Sequence, residues 1–174
     1  MKKVFATVLV TLTALITSFE ADAIEGPYQK STILAGAHFG ILPGYGSTVY
    51  GDYVLADSWW KGHFTVGGQI GITRQAADYF VIFPSKTDTK WSTVALTARA
   101  TYGLNLSKSF EVHAGALLGV GFRSQKGYKL IPGFAYGGLL GLRWFFTDNL
   151  ALSFELQHSA GYGPMANVGL AFKF

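Results

Sequence analysis

The run Gln157-His158-Ser159-Ala160 carries the residue types of nucleophilic catalysis. An imidazole within reach of a hydroxyl can take its proton and generate the alkoxide that opens an ester or amide. Spacing decides whether it can. On a strand, residues two apart share a face and adjacent residues point to opposite faces. His158 and Ser159 are adjacent; Ala160 lies two after the histidine, and Gln157 two before the serine. Neither phase supplies both groups, and the stretch Ala166-Asn167-Val168-Gly169 offers no carboxylate to orient the ring. His158 and Ser159 are therefore the only candidates for an acyl hydrolase, and no catalytic residue is assigned.

A second set of groups is titratable and alternates with apolar residues. Arg99, Glu111, His113, Arg143, Glu155 and Lys173 occupy the minority face of strand-like segments otherwise dominated by large apolar side chains. Brought together inside a narrow barrel they form a salt-bridge network, because unpaired buried charge is costly. The other histidines of strand-like segments, His38 and His63, stand on separate segments from each other and from His113, without ligand spacing, so no metal site is expected. The chain has no Cys, which removes thiolate ligands and disulfides. Glycines punctuate strand patterns and do not open a helix, so no phosphate loop or cofactor is expected.

The elements that must hold these groups are read from period two. Residues 61–75 place Phe64, Val66, Ile70 and Ile72 against His63, Thr65, Gln69 and Thr73. The same alternation marks 91–104, 110–123, 134–146, 150–157 and 167–174. Two further strands are placed at 31–41 and 47–56, where Gly and Ala dilute the pattern. Short turns at 57–60, 105–108 and 147–149 alternate with connections at 42–46, 76–90, 124–132 and 159–164, which fall on the opposite side. In an eight-stranded membrane barrel the short turns face the periplasm and the other set faces outward. Trp59, Trp60, Trp91, Tyr102, Phe110, residues 144–146, Phe172 and Phe174 collect near strand ends as interfacial girdles. Outer-half glycines and alanines (Gly71, Ala95, Gly119, Gly121, Ala135, Gly137) either let strands coil around large neighbours or leave a cavity for a small hydrophobic ligand.

Composition supports a membrane surface. The chain is 49% hydrophobic and 14% charged, too few charges to cover a solvent-bathed sheet. A closed sheet satisfies its backbone internally while showing lipid every other side chain. The net charge of +4 has no basic block that would suggest nucleic acid. Met1-Lys2-Lys3, an apolar run over residues 4–19 and Ala21-Asp22-Ala23 have the form of a signal peptide; cleavage after Ala23 leaves residues 24–174 as one barrel domain.

At the C terminus, Asn167, Gly169, Phe172 and the final Phe174 resemble the terminal-strand signal read by the outer-membrane barrel assembly machinery. With the leader and the eight strand patterns, the chain resembles the small OmpX/OmpA-like outer-membrane β-barrel superfamily. The resemblance implies an antiparallel up-and-down transmembrane barrel in the bacterial outer membrane, in contact with outer-membrane lipid and lipopolysaccharide and inserted by that machinery. It does not imply one activity. An eight-stranded barrel is filled by its own side chains, so the expected role is structural or surface-interacting, with outer loops such as 79–84 available to a partner. The alternatives are a lipid A-modifying acyl hydrolase, whose relatives carry a His-x-Ser pair on a strand, and a binder of a small hydrophobic ligand.

Overall fold

The computed structural model of the protein describes residues 28–41, 44–59, 62–76, 90–125, 130–159 and 166–174. Eight strands follow one another in chain order: β1 (Ile33–Ile41), β2 (Gly44–Trp59), β3 (Gly62–Ala76), β4 (Lys90–Ser107), β5 (Phe110–Gln125), β6 (Ile131–Phe145), β7 (Leu150–His158) and β8 (Ala166–Lys173). Each pairs antiparallel with the next, and β1 pairs with β8 to close the barrel. Closure leaves no sheet edge, which is what allows β-structure to cross hydrocarbon.

Alternation sets the two surfaces. On β7, Leu152, Phe154, Leu156 and His158 are exposed while Ala151, Ser153, Glu155 and Gln157 are buried. The exterior is apolar all round: Ile70 and Ile72 on β3, Leu96 on β4, Leu118 on β5, Phe134 and Tyr136 on β6 and Leu170 on β8 are all exposed. A water-soluble sheet would bury such side chains; here they form the face that meets lipid. The upper limit of that face is visible in the register. Ile72, Val94 and Phe122 are cross-strand partners, and one step further out the partners are Arg74, Ser92 and Ser124.

Strand lengths differ systematically. β1, β7 and β8 have 9, 9 and 8 residues, close to the roughly 9–11 that cross a bilayer. β2 to β6 run for 15 to 18. β6 pairs with β7 only over Gly138–Phe145, so its excess lies at the outer end, whereas β2 pairs with β1 over Tyr45–Tyr53 and carries its excess at the inner end.

Several boundaries differ from the sequence expectation. β1 starts at Ile33, because Ser31 adopts a left-handed φ of 75° in a turn held by Thr32 N–H donating to the Gln29 carbonyl at 3.0 Å. The expected inner turn at 57–60 is largely strand: β2 continues to Trp59 through register shifts after Val54 and Ala56. Irregularities of this kind erase period two, which is why the alternation in the sequence stops there. Phe145, expected in the lipid-facing girdle, is instead buried inside the barrel, while Trp144 and Phe146 face out. Trp91, whose phase is shared by buried Thr93, stands at the outer mouth with the Arg123 guanidinium 5.4 Å from its ring. The apolar loop segment 79–84, the Trp60 position, and most of the connections at 76–90 and 159–164 lie outside the described residues.

Candidate functional site

The inner half of the lumen is stacked in two layers. The lower is apolar: Leu34, Val54, Phe145, Ala151 and Ala171 form a buried floor with Tyr28, a residue preceding β1. Above it lies an ionic cluster that draws on β1 through β7. Period two puts each member inside; register brings them level. Glu111 and Arg143 are direct cross-strand partners on β5 and β6, and Arg143 Nη1 donates to Glu111 Oε1 at 3.1 Å.

Arg99 is the second cationic centre. Its Nη2 donates to Glu155 Oε1 at 2.9 Å and its Nη1 to Gln69 Oε1 at 3.0 Å. Its Nε lies 3.0 Å from Asp52 Oδ1, and the guanidinium stacks 4.2 Å from the centre of the Tyr50 ring. Such planar, multidentate pairing is what arginine supplies in a buried site. Arg143 Nη2 also approaches Asp52 at 3.7 Å and Glu155 at 3.6 Å, so both arginines share both carboxylates.

His113 sits between the halves. Its Nδ1 is 3.2 Å from Glu111 Oε1 and its Nε2 is 3.1 Å from Glu155 Oε1. His63 faces Glu111 at 3.4 Å, and His38 faces Glu155 at 3.8 Å. Two glycines make room for these rings. A Cβ at Gly103 would press on His63 and lie 2.8 Å from Glu111 Oε1, and one at Gly141 would press on His113 and lie 2.8 Å from Glu155 Cγ. Among the described residues no set of His, Asp and Glu side chains has the arrangement to hold a metal ion.

Of the six interior charges read from the sequence, the structure brings Arg99, Glu111, His113, Arg143 and Glu155 into one cluster. Lys173 lies at the level of the floor: its ammonium is 5.9 Å from the Phe145 ring, and the residue is only partly buried. Asp52, Tyr50, His38 and His63 complete the cluster, and sequence reasoning gave them no place in it. The signal for the first two was the inward phase Thr48-Tyr50-Asp52-Val54, in step with exposed Val49 and Tyr53.

The hydrolase candidates separate. His158 is exposed on the outer face of β7 and Ser159 is buried on the lumen side, so imidazole and hydroxyl lie on opposite sides of the wall. The outer-half small residues do not simply enclose space. A Cβ at Gly119 would collide with the Leu96 carbonyl, and one at Gly137 with that of His158, so these glycines sit where neighbouring backbone approaches. Asn167 on β8 donates from Nδ2 to the Glu155 carbonyl at 3.4 Å. Gly169 pairs with His38, and Phe172 and Phe174 are exposed. The Phe174 N–H donates to the Ile33 carbonyl at 2.9 Å, and the Ile33 N–H to the Phe174 carbonyl at 3.1 Å, fastening the last residue to β1.

Comparison with solved structures places this architecture. Neisserial surface protein A (NspA) aligns with a TM-score of 0.52 at 16% identity, over 82% of this chain and 94% of that one. The fold is that of the small bacterial outer-membrane β-barrels. Ail, the attachment invasion locus protein of Yersinia pestis, aligns over 84% of this chain and 100% of its own with a TM-score of 0.49 and 13% identity. No family model and no curated protein sequence matches the chain. The outer-membrane-type barrel is thus recognisable in shape at an identity too low to carry over any site residue.

Proposed function

We propose that this chain is a pore-less outer-membrane barrel whose work is done by its surfaces: it holds its place among outer-membrane lipid and lipopolysaccharide and presents its outer end to a partner. The observation that carries the reading is the closed lumen. Floor and ionic cluster fill the inner half, and further out Thr48, Thr73, Thr93, Thr97, Ala95 and Ala135 are also buried. An interior occupied in this way does not support diffusion of solutes through the barrel. What remains available is the exterior and the outer end, where β5 and β6 pair with each other beyond the last β6–β7 pair at Gly138↔His158. Arg74 and Tyr45, exposed cross-strand partners just beyond Ile72, stand at the level where lipopolysaccharide head groups begin.

The test is a comparison of bacteria displaying the full protein with bacteria displaying a variant lacking residues 79–84, scored for attachment to host cells and matrix. Attachment that depends on the segment supports a surface-interaction role; equal attachment by both strains and by a strain without the protein removes it. Lipid A mass spectra from the same strains address the hydrolase alternative. The separation of His158 from Ser159 leads to identical spectra; loss of an acyl chain only with the protein would replace this reading with an enzymatic one.

A further inference from the structure

Tyr28 is buried, 5% exposed, although it precedes the first strand. Its ring centre lies 4.2 Å from that of His63 on β3 and 5.6 Å from that of Phe145 on β6, three strands further round the barrel. Its hydroxyl donates to the Glu111 carboxylate on β5. One side chain thus reaches across the inner mouth and touches the cluster from below.

The chain is folded back to allow this. Ser31 supplies the left-handed residue, and the Gln29 N–H donates to Thr32 Oγ1 at 3.1 Å across the turn. The turn is pinned to β2 by reciprocal bonds, Ser31 N–H to the Val54 carbonyl at 3.0 Å and Val54 N–H to the Thr32 carbonyl at 2.9 Å. The Tyr53 hydroxyl reaches Ser31 Oγ at 2.9 Å, and the Lys30 N–H donates to Asp57 at 2.9 Å. The Val54–Thr32 bond continues the β1–β2 register by one step, and the side-chain contacts beyond it fix the fold-back that turns Tyr28 inward.

We propose that residues 28–32 form a strap that seats Tyr28 as a stopper in the inner mouth, shutting the ionic cluster off from solvent on that side. Without the ring, the floor of Leu34, Val54, Phe145, Ala151 and Ala171 is open at its centre, and water gains a path to Glu111, Arg143 and His63. Exclusion of water strengthens every charge pair above it. Burial, reinforced by the neighbouring Glu111 carboxylate, holds the Tyr28 phenol well above its ordinary range, so it remains a hydrogen-bond donor.

The absence of cysteine makes a thiol reporter clean. Thr65 is buried one inward position above His63, with its Oγ1 2.6 Å from that of Thr101, and Thr65→Cys is nearly isosteric. The folded full-length mature barrel in detergent is treated with a charged methanethiosulfonate, with folding checked by heat-modifiable gel mobility and circular dichroism. The reporter reacts slowly in the parent background. In Tyr28→Ala its rate rises by on the order of 100-fold, because access no longer waits on local opening. Tyr28→Phe, which keeps the ring, stays within a few-fold of the parent. A parent rate equal to that of the unfolded chain overturns the stopper, as does a folded alanine variant that labels no faster, or a phenylalanine variant as fast as alanine. If the alanine variant does not fold, Tyr28→Leu is read in its place: faster labelling supports the stopper and an unchanged rate overturns it.

Discussion

Glu155 receives Arg99, His113 and Arg143 while almost completely buried. Removing one partner of such a buried set leaves the others uncompensated, at a cost of about 3–5 kcal/mol. Glu155→Leu is therefore expected to lower the urea midpoint of the barrel in lipid vesicles by a corresponding amount. Combining it with Arg99→Met should cost less than the sum of the two single changes, because the second removes a cation the first has orphaned. Strict additivity, or an unchanged midpoint in the single variant, would show that the pairs are not coupled. At this scale much of the cluster was legible in the sequence: Arg99, Glu111, Arg143 and Glu155 are isolated charges on strands of clean period two. Asp52 and His38 were not, because glycines at 36, 40, 46 and 51 blur the phase of β1 and β2. Tyr28 had no signal at all, since it lies outside any strand and meets Glu111, 83 residues away, only once the barrel is closed.

At the scale of one element, β5 displays the membrane boundary. Its outward row runs Phe110, Val112, Ala114, Ala116, Leu118, Val120, Phe122 and then Ser124. With a rise of about 3.4 Å per residue and a tilt of about 40°, the apolar part spans roughly 30 Å, the thickness of a hydrocarbon core. Arginine in place of Ala116, midway along the row, should destabilise by about 2–4 kcal/mol, and at Ser124 by no more than about 1 kcal/mol, in vesicle unfolding experiments. Equal penalties would mean that the boundary is misplaced. β8 makes a different prediction. Phe174 ties the terminal strand to β1 through paired backbone bonds, and its side chain projects outward. Replacing Phe174 with Ala keeps those bonds, so refolding in vitro should be nearly unchanged while the amount of folded barrel in cells falls, if the ring is what the assembly machinery reads; an equal fall in both settings would assign the ring to stability alone. The strong strands, β3 to β8, were legible from alternation, whereas the ends of β2 were not, because register shifts within Val54–Trp59 break the period.

For the whole molecule, shape and filling act together. The exterior is apolar because it faces lipid, so the interior is where the polar residues go, and a barrel of eight strands leaves room for them only if they pack against one another. That inversion was predictable from a chain rich in apolar residues with sparse, alternating charges. The height to which the lumen is filled was not, since it depends on which inward side chains meet across the barrel and on the turn that returns Tyr28 to its mouth. The most direct test of the closed barrel is conductance of the purified, folded protein across a planar lipid bilayer under applied voltage. The account predicts a baseline without discrete steps, in Glu155-intact protein at neutral pH; reproducible channels of uniform unit conductance would contradict it and make the lumen a pathway instead of a core.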